Sequence, residues 1–552
     1  METIKNFTSG LSLAGPSDRI PEGFTRSNRG LSATASESFR SRFGSELLAE
    51  LDAHSIVYFD DVFWYGVGTT FYRNTVDLSL SLSGDRLSLV KCPPVAGIAD
   101  YLFIAGGGTL YKSKADGTVQ NWGIDIPASA PIAAIIAGGS LIADYVYQYL
   151  ITYKNSITGH RSNSNLVAVS ATPSGSNITI ELSAIPDGSL LDSQIDTVEI
   201  WRTGPNGSLF FYLDEIAAGI ATYTDDGTID LATEELPLDN IKPFAYFDDC
   251  LGPFNASMFW ITRTEPGQRG RLFYSAIGRV EAMQGFIEIT SDTNPLQRIF
   301  RFQGQLGVIA ERGIFLIGGD NPYISREVPN CSGTTQPFSV VETPFGIAYL
   351  AHDGFRLFDG NTSTVISSGA VDRIVRGESV GDFTAFSSVI QATFARDEYI
   401  GSDGVQTLAV NREGRFRDLG VGLSALYYNE ETDQLAVTYN SKVVDFEKPL
   451  IYTDNGDAIS IILEPPSINI DSSIAAVLQF LTFDINTSGN QITATLIVDG
   501  VTTVLGVMQS TARVKVFFNI GKVGTLFTLR ITGLVTSVIE VFSIKPEFYT
   551  PK

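Results

Sequence analysis

Cysteine, histidine, charge and long apolar runs are all scarce in this 552-residue chain. Cys92, Cys250 and Cys331 lie far apart with no C-x-x-C pair, which argues against a disulfide framework or a zinc ribbon and fits a thiol-reducing history. His54, His160 and His352 are equally scattered, with none within four residues of another, so a His-rich metal site is excluded and no cofactor is expected. The first residues lack the apolar core of roughly 7 to 15 residues that a secretory signal carries. The longest apolar region, Pro131 to Leu150, is interrupted by Gly138, Gly139, Ser140, Asp144 and Gln148, short of the ~20 apolar residues a spanning helix needs. Neither a signal nor a membrane span is expected. The sequons at Asn6, Asn177, Asn255, Asn361 and Asn486 then read as the chance yield of a Ser/Thr-rich chain.

Positive charge is the scarcest of the signs. Lys and Arg number 38 against 61 Asp and Glu, a net charge of −23, and a field of that sign does not grip nucleic acid. What the chain does have is 44% hydrophobic residues and 52 glycines, a composition that favours turn-punctuated β-structure over helical bundles.

Chemical motifs are thin. Gly377-Glu378-Ser379-Val380-Gly381 spells G-x-S-x-G, but every histidine precedes Ser379 and the surroundings read as β, so the motif is a chance match. Gly106-Gly107-Gly108 lacks the spacing of a dinucleotide cradle. Asp225-Asp226-Gly227 and Asp454-Asn455-Gly456-Asp457 complete no calcium loop and read as turns. No catalytic or metal residue is assigned, and the chain is read as a non-enzyme.

Organisation is clearer. Residues 1–54 read as an extended arm, with a short helix over Gly44–Ala53 carrying Leu47, Leu48 and Leu51 on one face. Within the arm Arg19, Arg26, Arg29, Arg40 and Arg42 meet only Glu22 and Glu37, a local excess of +3. They are candidates for a subunit or partner contact, set against a solvated arm lying on its own domain. From Ser55 onward, hairpins of an apolar strand, a Gly- or Asn-bearing turn and an aromatic-ended strand recur. Those starting at Gly304, Phe345, Ala392 and Asp433 lie 41, 47 and 41 residues apart. A lone hairpin cannot bury its own apolar face, and a return of roughly 40 to 50 residues is that of four-stranded propeller blades. The expected fold class is therefore all-β: a β-propeller over 55–143 and 241–464, interrupted at 144–240 by a fibronectin type III-like β-sandwich and followed at 465–552 by a C-terminal β-sandwich. The remaining length allows six or seven blades. The insert should hold a hairpin turning on Asn206-Gly207, and the C-terminal unit turns at Asp499-Gly500 and Gly521-Lys522. Charge follows the same division. Residues 144–250 hold sixteen acids against four bases, with Asp225, Asp226, Asp230, Glu234 and Glu235 as the candidate acidic surface, whereas 471–552 hold five acids and six bases.

The run Arg271 to Ser368, with SAIG, then QLGVIAERGIFLIGG, then YLAHDGFRLFDGN, resembles the tail nozzle, or tail tubular protein B-like, family of short-tailed bacteriophages. The opening arm with RIPEGFT, the stretch IAAGIATYTDDG to ELPLDN, and the terminal sandwich are similar as well. The resemblance implies a virion structural protein of the tail: six copies in a ring below the adaptor and portal, touching tail fibres or tailspikes. Genomic DNA would pass through the ring without sequence-specific binding. An acidic wall suits such a conduit, because it repels phosphate. The alternative is a propeller tail protein that binds or degrades glycans through carboxylates in the propeller mouth.

Overall fold

The computed structural model describes residues 9–13, 19–20, 24–34, 38–92, 100–175, 178–319, 323–367, 371–386, 388–470 and 476–549. The sequons at Asn6 and Asn177 and the arm's Glu22 and Glu37 lie outside them. Alternation of apolar residues produces strands nearly throughout, and among the described residues seven four-stranded antiparallel sheets form a β-propeller. Blade 1 spans Ser55–Asp77, blade 2 Ser88–Asn121, blade 3 Asp249–Glu288, blade 4 Leu296–Val328, blade 5 Val341–Val365 and blade 6 Gln391–Asp418. Blade 7 takes three strands from Leu426–Asp445 and its outermost strand, Glu46–Ala49, from the other end of the chain.

Period-two alternation gives each blade two apolar faces, one for each neighbour. Leu102 and Ile104 pack against Trp64 and Phe71 of blade 1, while Phe103 between them packs against Trp260 and Phe273 of blade 3. Phe315 and Ile317 likewise face blade 3, and Ile314 and Leu316 face blade 5. Similar clusters join blades 5 to 6, 6 to 7 and 7 to 1, so the core is a closed circle of interfaces. The recurring sequence hairpins are mostly the central two strands of each blade, the pair buried on both faces.

The helix expected over Gly44–Ala53 is a strand. Glu46, Leu47 and Ala49 pair with Asp445, Val444 and Val443, because closing the ring requires a fourth strand there and the ladder outweighs a short amphipathic pattern.

Between blades 2 and 3, a three-stranded sheet (Ile132–Leu141, Ile178–Ser183, Tyr223–Asp225) and a four-stranded sheet (Tyr147–Lys154, Val169–Ala171, Thr197–Thr203, Phe210–Ala217) enclose one core. The first of these strands begins ahead of residue 144, inside the stretch assigned to the first part of the propeller. Thr203 pairs with Phe210, so the loop at Asn206-Gly207 has six residues rather than two, with Asn206 at φ 52°.

The C-terminal unit packs a five-stranded sheet on a six-stranded one. It begins before Glu464-Pro465-Pro466, since Asp457–Leu463 pairs with Leu526–Val535, and it recruits Leu31–Ala33 and Phe39–Ser41 from the arm. Asp499-Gly500 is a two-residue turn between Val498 and Val501. Gly521-Lys522 is not a turn. Both residues lie within the long strand Val514–Gly524, where the register slips opposite Leu478 and Phe480.

Candidate functional site

The arm's arginines bind their own chain. Arg42 is buried; its guanidinium meets both carboxylate oxygens of Asp454, donates to the Leu419 carbonyl at 2.8 Å and lies over the Phe446 ring. Arg29 Nε donates to Asp418, the last residue of blade 6, at 2.9 Å, and Arg26 pairs with Glu464 of the C-terminal unit at 3.5 Å. Arg40 is half-buried over Phe43, and Arg19 is exposed. The arm also passes so close to the C-terminal unit that a Cβ on Gly44 would stand 2.1 Å from the Thr453 carbonyl oxygen. The segment is thus a strap across blade 6 and the sandwich. Arg42 has no face left for a second subunit.

The five candidate acids of the insert do not share one environment. Asp226, Asp230, Glu234 and Glu235 reach solvent, with Glu234 paired to Arg161. Asp225 does not belong with them: it is buried, accepting from the Tyr149 hydroxyl at 2.7 Å and from Arg202 at 2.6 Å. Alternation in the short strand Tyr223–Asp225 turns Tyr223 and Asp225 inward together. That signal was present in the sequence, masked by the turn-like Asp-Asp-Gly that follows.

Two apolar flanks carry no sequence motif. The strand Ile132–Leu141 is the outermost of its sheet and almost wholly exposed, with Ile132 and Ile136 at 61% and 39%. At its far end Gly139, at φ +79°, lets the chain pass Thr179 and Asp226 where a Cβ would clash. In the C-terminal unit, Val501–Met508 and Val514–Gly524 are the outermost strands of the two sheets and expose Val501, Val504, Val507 and Phe517.

Within the propeller, first strands of successive blades touch around the axis. At one end of that axis Arg86, Arg263 and Arg298 surround the ring of Phe338, at 5.4, 5.4 and 5.6 Å. Arg298 is neutralised by buried Asp249 at 2.7 Å. Arg86 instead donates to the Gln391 side chain and the Ser424 carbonyl, and burial pushes its guanidinium down to about 10. Further along, Glu342 of blade 5 accepts the Arg301 backbone N–H at 2.6 Å; it keeps solvent access, yet desolvation by the surrounding strands holds its carboxyl above the usual range. Where the insert meets the propeller, Lys112 is buried against both oxygens of Glu281 at 2.7 and 2.6 Å, and the Gly123 N–H donates to the same carboxylate. Burial pushes Glu281 up, and Lys112 more than offsets this, leaving it below its usual range. Among the described residues no group of three His, Cys, Asp or Glu side chains is placed to hold a metal.

No family model and no curated protein matches the chain. Among solved structures it is similar to the Pan2 WD40 domain of Neurospora crassa, at 5% identity over 74% of this chain and 95% of that one, with a TM-score of 0.29. A glycoside hydrolase matches at 11% identity over 99% and 100%, TM-score 0.17. An exo-beta-1,3-galactanase from Phanerochaete chrysosporium with galactose matches at 11% over 97% and 99%, TM-score 0.17. At these scores the likenesses carry no functional argument.

Proposed function

We propose that the chain is a structural subunit of a short-tailed phage virion, one of six copies forming the tail nozzle below the adaptor. Tail fibres or tailspikes bind the assembled tail, and genomic DNA crosses the ring. The observation that supports assembly above all is the pair of uncovered apolar strand flanks, one on the acidic insert and one on the near-neutral C-terminal unit. A chain that works alone rarely leaves such edges open. The strapped arm fits the same role, because it ties propeller and sandwich together. The sequence resemblance supplies the specific tail identity. Electron micrographs of the purified chain, alone and with its adaptor, are expected to give six-fold rings; a monomer under both conditions overturns the reading.

A second reading, a propeller that processes glycans, draws on Glu342, whose raised carboxyl on an innermost strand has the character of a general acid. A monomer that shortens host polysaccharide, and loses that activity in Glu342→Gln, would favour it.

A further inference from the structure

The strand Ile132–Leu141 lacks the charges and prolines that commonly protect a sheet edge, and its pairing with Ile178–Ser183 runs regularly from Ile132 to Ala137 before the register shifts towards Leu141. From Ile132 to Ala143 there is no charged residue and no proline, and among the described residues no strand pairs with its outer side, although the Ser140 N–H near its end donates to the Asp226 carbonyl at 2.6 Å. Glu181 on the adjoining strand and Asp226 at the far end frame it with negative charge.

The C-terminal flank is its complement. Val501–Met508 and Val514–Gly524 are consecutive strands, each the free edge of one sheet. Leu505, Val516, Phe518 and Ile520 between them are only partly covered by the core, so the sandwich is open along this side. Its charged residues are exposed Lys515 and Lys522, Arg513 paired with Asp484 at 2.7 Å, and Asp499 at the turn beside Val501 and Gly524, so the unpaired charge is mainly that of the two lysines.

We propose that these two flanks are the two halves of one interface between copies of this chain: the Ile132–Leu141 edge of one copy docks, by strand addition, on the Val501–Met508 and Val514–Gly524 edge of the next. This rests on the ring reading above and names the surfaces that build the ring. The occupant is a second copy because the two flanks match in chemistry. Both are apolar strand edges, and acidic surroundings meet basic ones. Insert against insert would set the chain's most acidic modules face to face, with like charges opposed. A contact between two different patches of the same chain is heterologous, and when its rotation closes, as the ring reading requires, neither flank is left uncovered.

The test uses the full chain. Ile132→Glu/Ile136→Glu damages the insert flank, and Val504→Glu/Phe517→Glu the C-terminal flank; all four side chains are solvent-exposed, so melting profiles are expected to match wild type. In mass photometry each variant alone should assemble at least about tenfold more weakly than wild type. The two variants mixed should give a 1:1 dimer, because one intact pair of flanks remains. Wild-type rings that persist in both variants, or a mixture that stays monomeric, overturn the interface while leaving the ring standing. A wild-type chain that is monomeric at every concentration overturns both. Independently of any variant, carbodiimide cross-linking of mixed 14N- and 15N-labelled wild-type chains should join Lys515 or Lys522 of one copy to insert carboxylates such as Glu181 or Asp226 of another. Inter-copy links confined to insert–insert pairs would overturn the pairing.

Discussion

His160 sits where the insert meets the propeller, beside the buried Lys112–Glu281 pair, and its Nε2 has no protein partner among the described residues. Burial is the main cause of its low proton affinity; Glu281 pulls it up, Lys112, Arg279 and Arg161 push it down, and it settles at about 4 against an ordinary 6.5. Between these values the unfolded chain holds a proton that the folded chain does not, so stability falls as pH drops from about 6.5 towards 4 and changes no further below that. At pH 5 the loss amounts to about 2 kcal/mol. Trp122 and Trp260, 5.5 Å apart in the adjoining core, report the local transition by fluorescence. The urea-derived unfolding free energy of wild type relative to His160→Gln should therefore fall by that amount from pH 7.5 to 5, and a constant difference would remove His160 as the cause. Nothing in the sequence marked this residue. Its role depends on Lys112 and Glu281, 48 residues before and 121 after it, meeting in one junction. The arm arginines were legible as an anomaly of charge, but their partners Asp418, Asp454 and Glu464 lie close to 400 residues away or further, beyond any local pattern.

At the scale of the element, Glu46–Ala49 closes the propeller by joining the chain's beginning to its seventh blade. Local pattern could not reveal this, since Leu47, Leu48 and Leu51 satisfy a helical stripe, while the choice of strand is made by Val443 and Val444 across the ladder. The blade hairpins were legible for the opposite reason: their two strands are adjacent in sequence and buried on both faces, so alternation and turn residues specify them without distant help. Leu47→Pro puts a proline at the closing-strand residue paired with Val444, where Leu48 is skipped by the register. It should lower stability by roughly 1 to 3 kcal/mol, with hydrogen exchange rising at Lys442–Asp445 and along the blade 7 to blade 1 interface around Ile56 and Tyr65. Unchanged protection at Val443 and Val444 would mean that the three remaining strands hold the blade alone. The edge strand Ile132–Leu141 was counted with the propeller because its alanines, glycines and isoleucines show no alternation that marks where the insert begins; only the sheet order places it at an edge of the insert.

At the scale of the whole molecule, the net −23 is unevenly placed, and the cations of the arm and of the insert are largely committed. Arg26, Arg29 and Arg42 are held by carboxylates of the same chain; Lys154, Arg161, Arg202 and Lys242, the only bases in 144–250, all pair with acids. Little positive charge is left to neutralise phosphate, so a wall made of this chain offers DNA no counterion release. Proteins with a basic face bind duplex non-specifically at roughly 10⁻⁴ to 10⁻⁶ M in physiological salt. This chain is expected to bind a labelled duplex more weakly than that range at about 0.15 M salt, in fluorescence anisotropy, with no steep dependence when salt is lowered. Tight binding that weakens sharply with added salt would mean that the exposed cations suffice to hold phosphate, and would end the proposal that DNA crosses the ring without sticking. Assembly should respond to salt in the contrary sense to that null result: an acidic flank meeting Lys515 and Lys522 associates more slowly as ionic strength rises, while the apolar strand edges keep the ring together once formed.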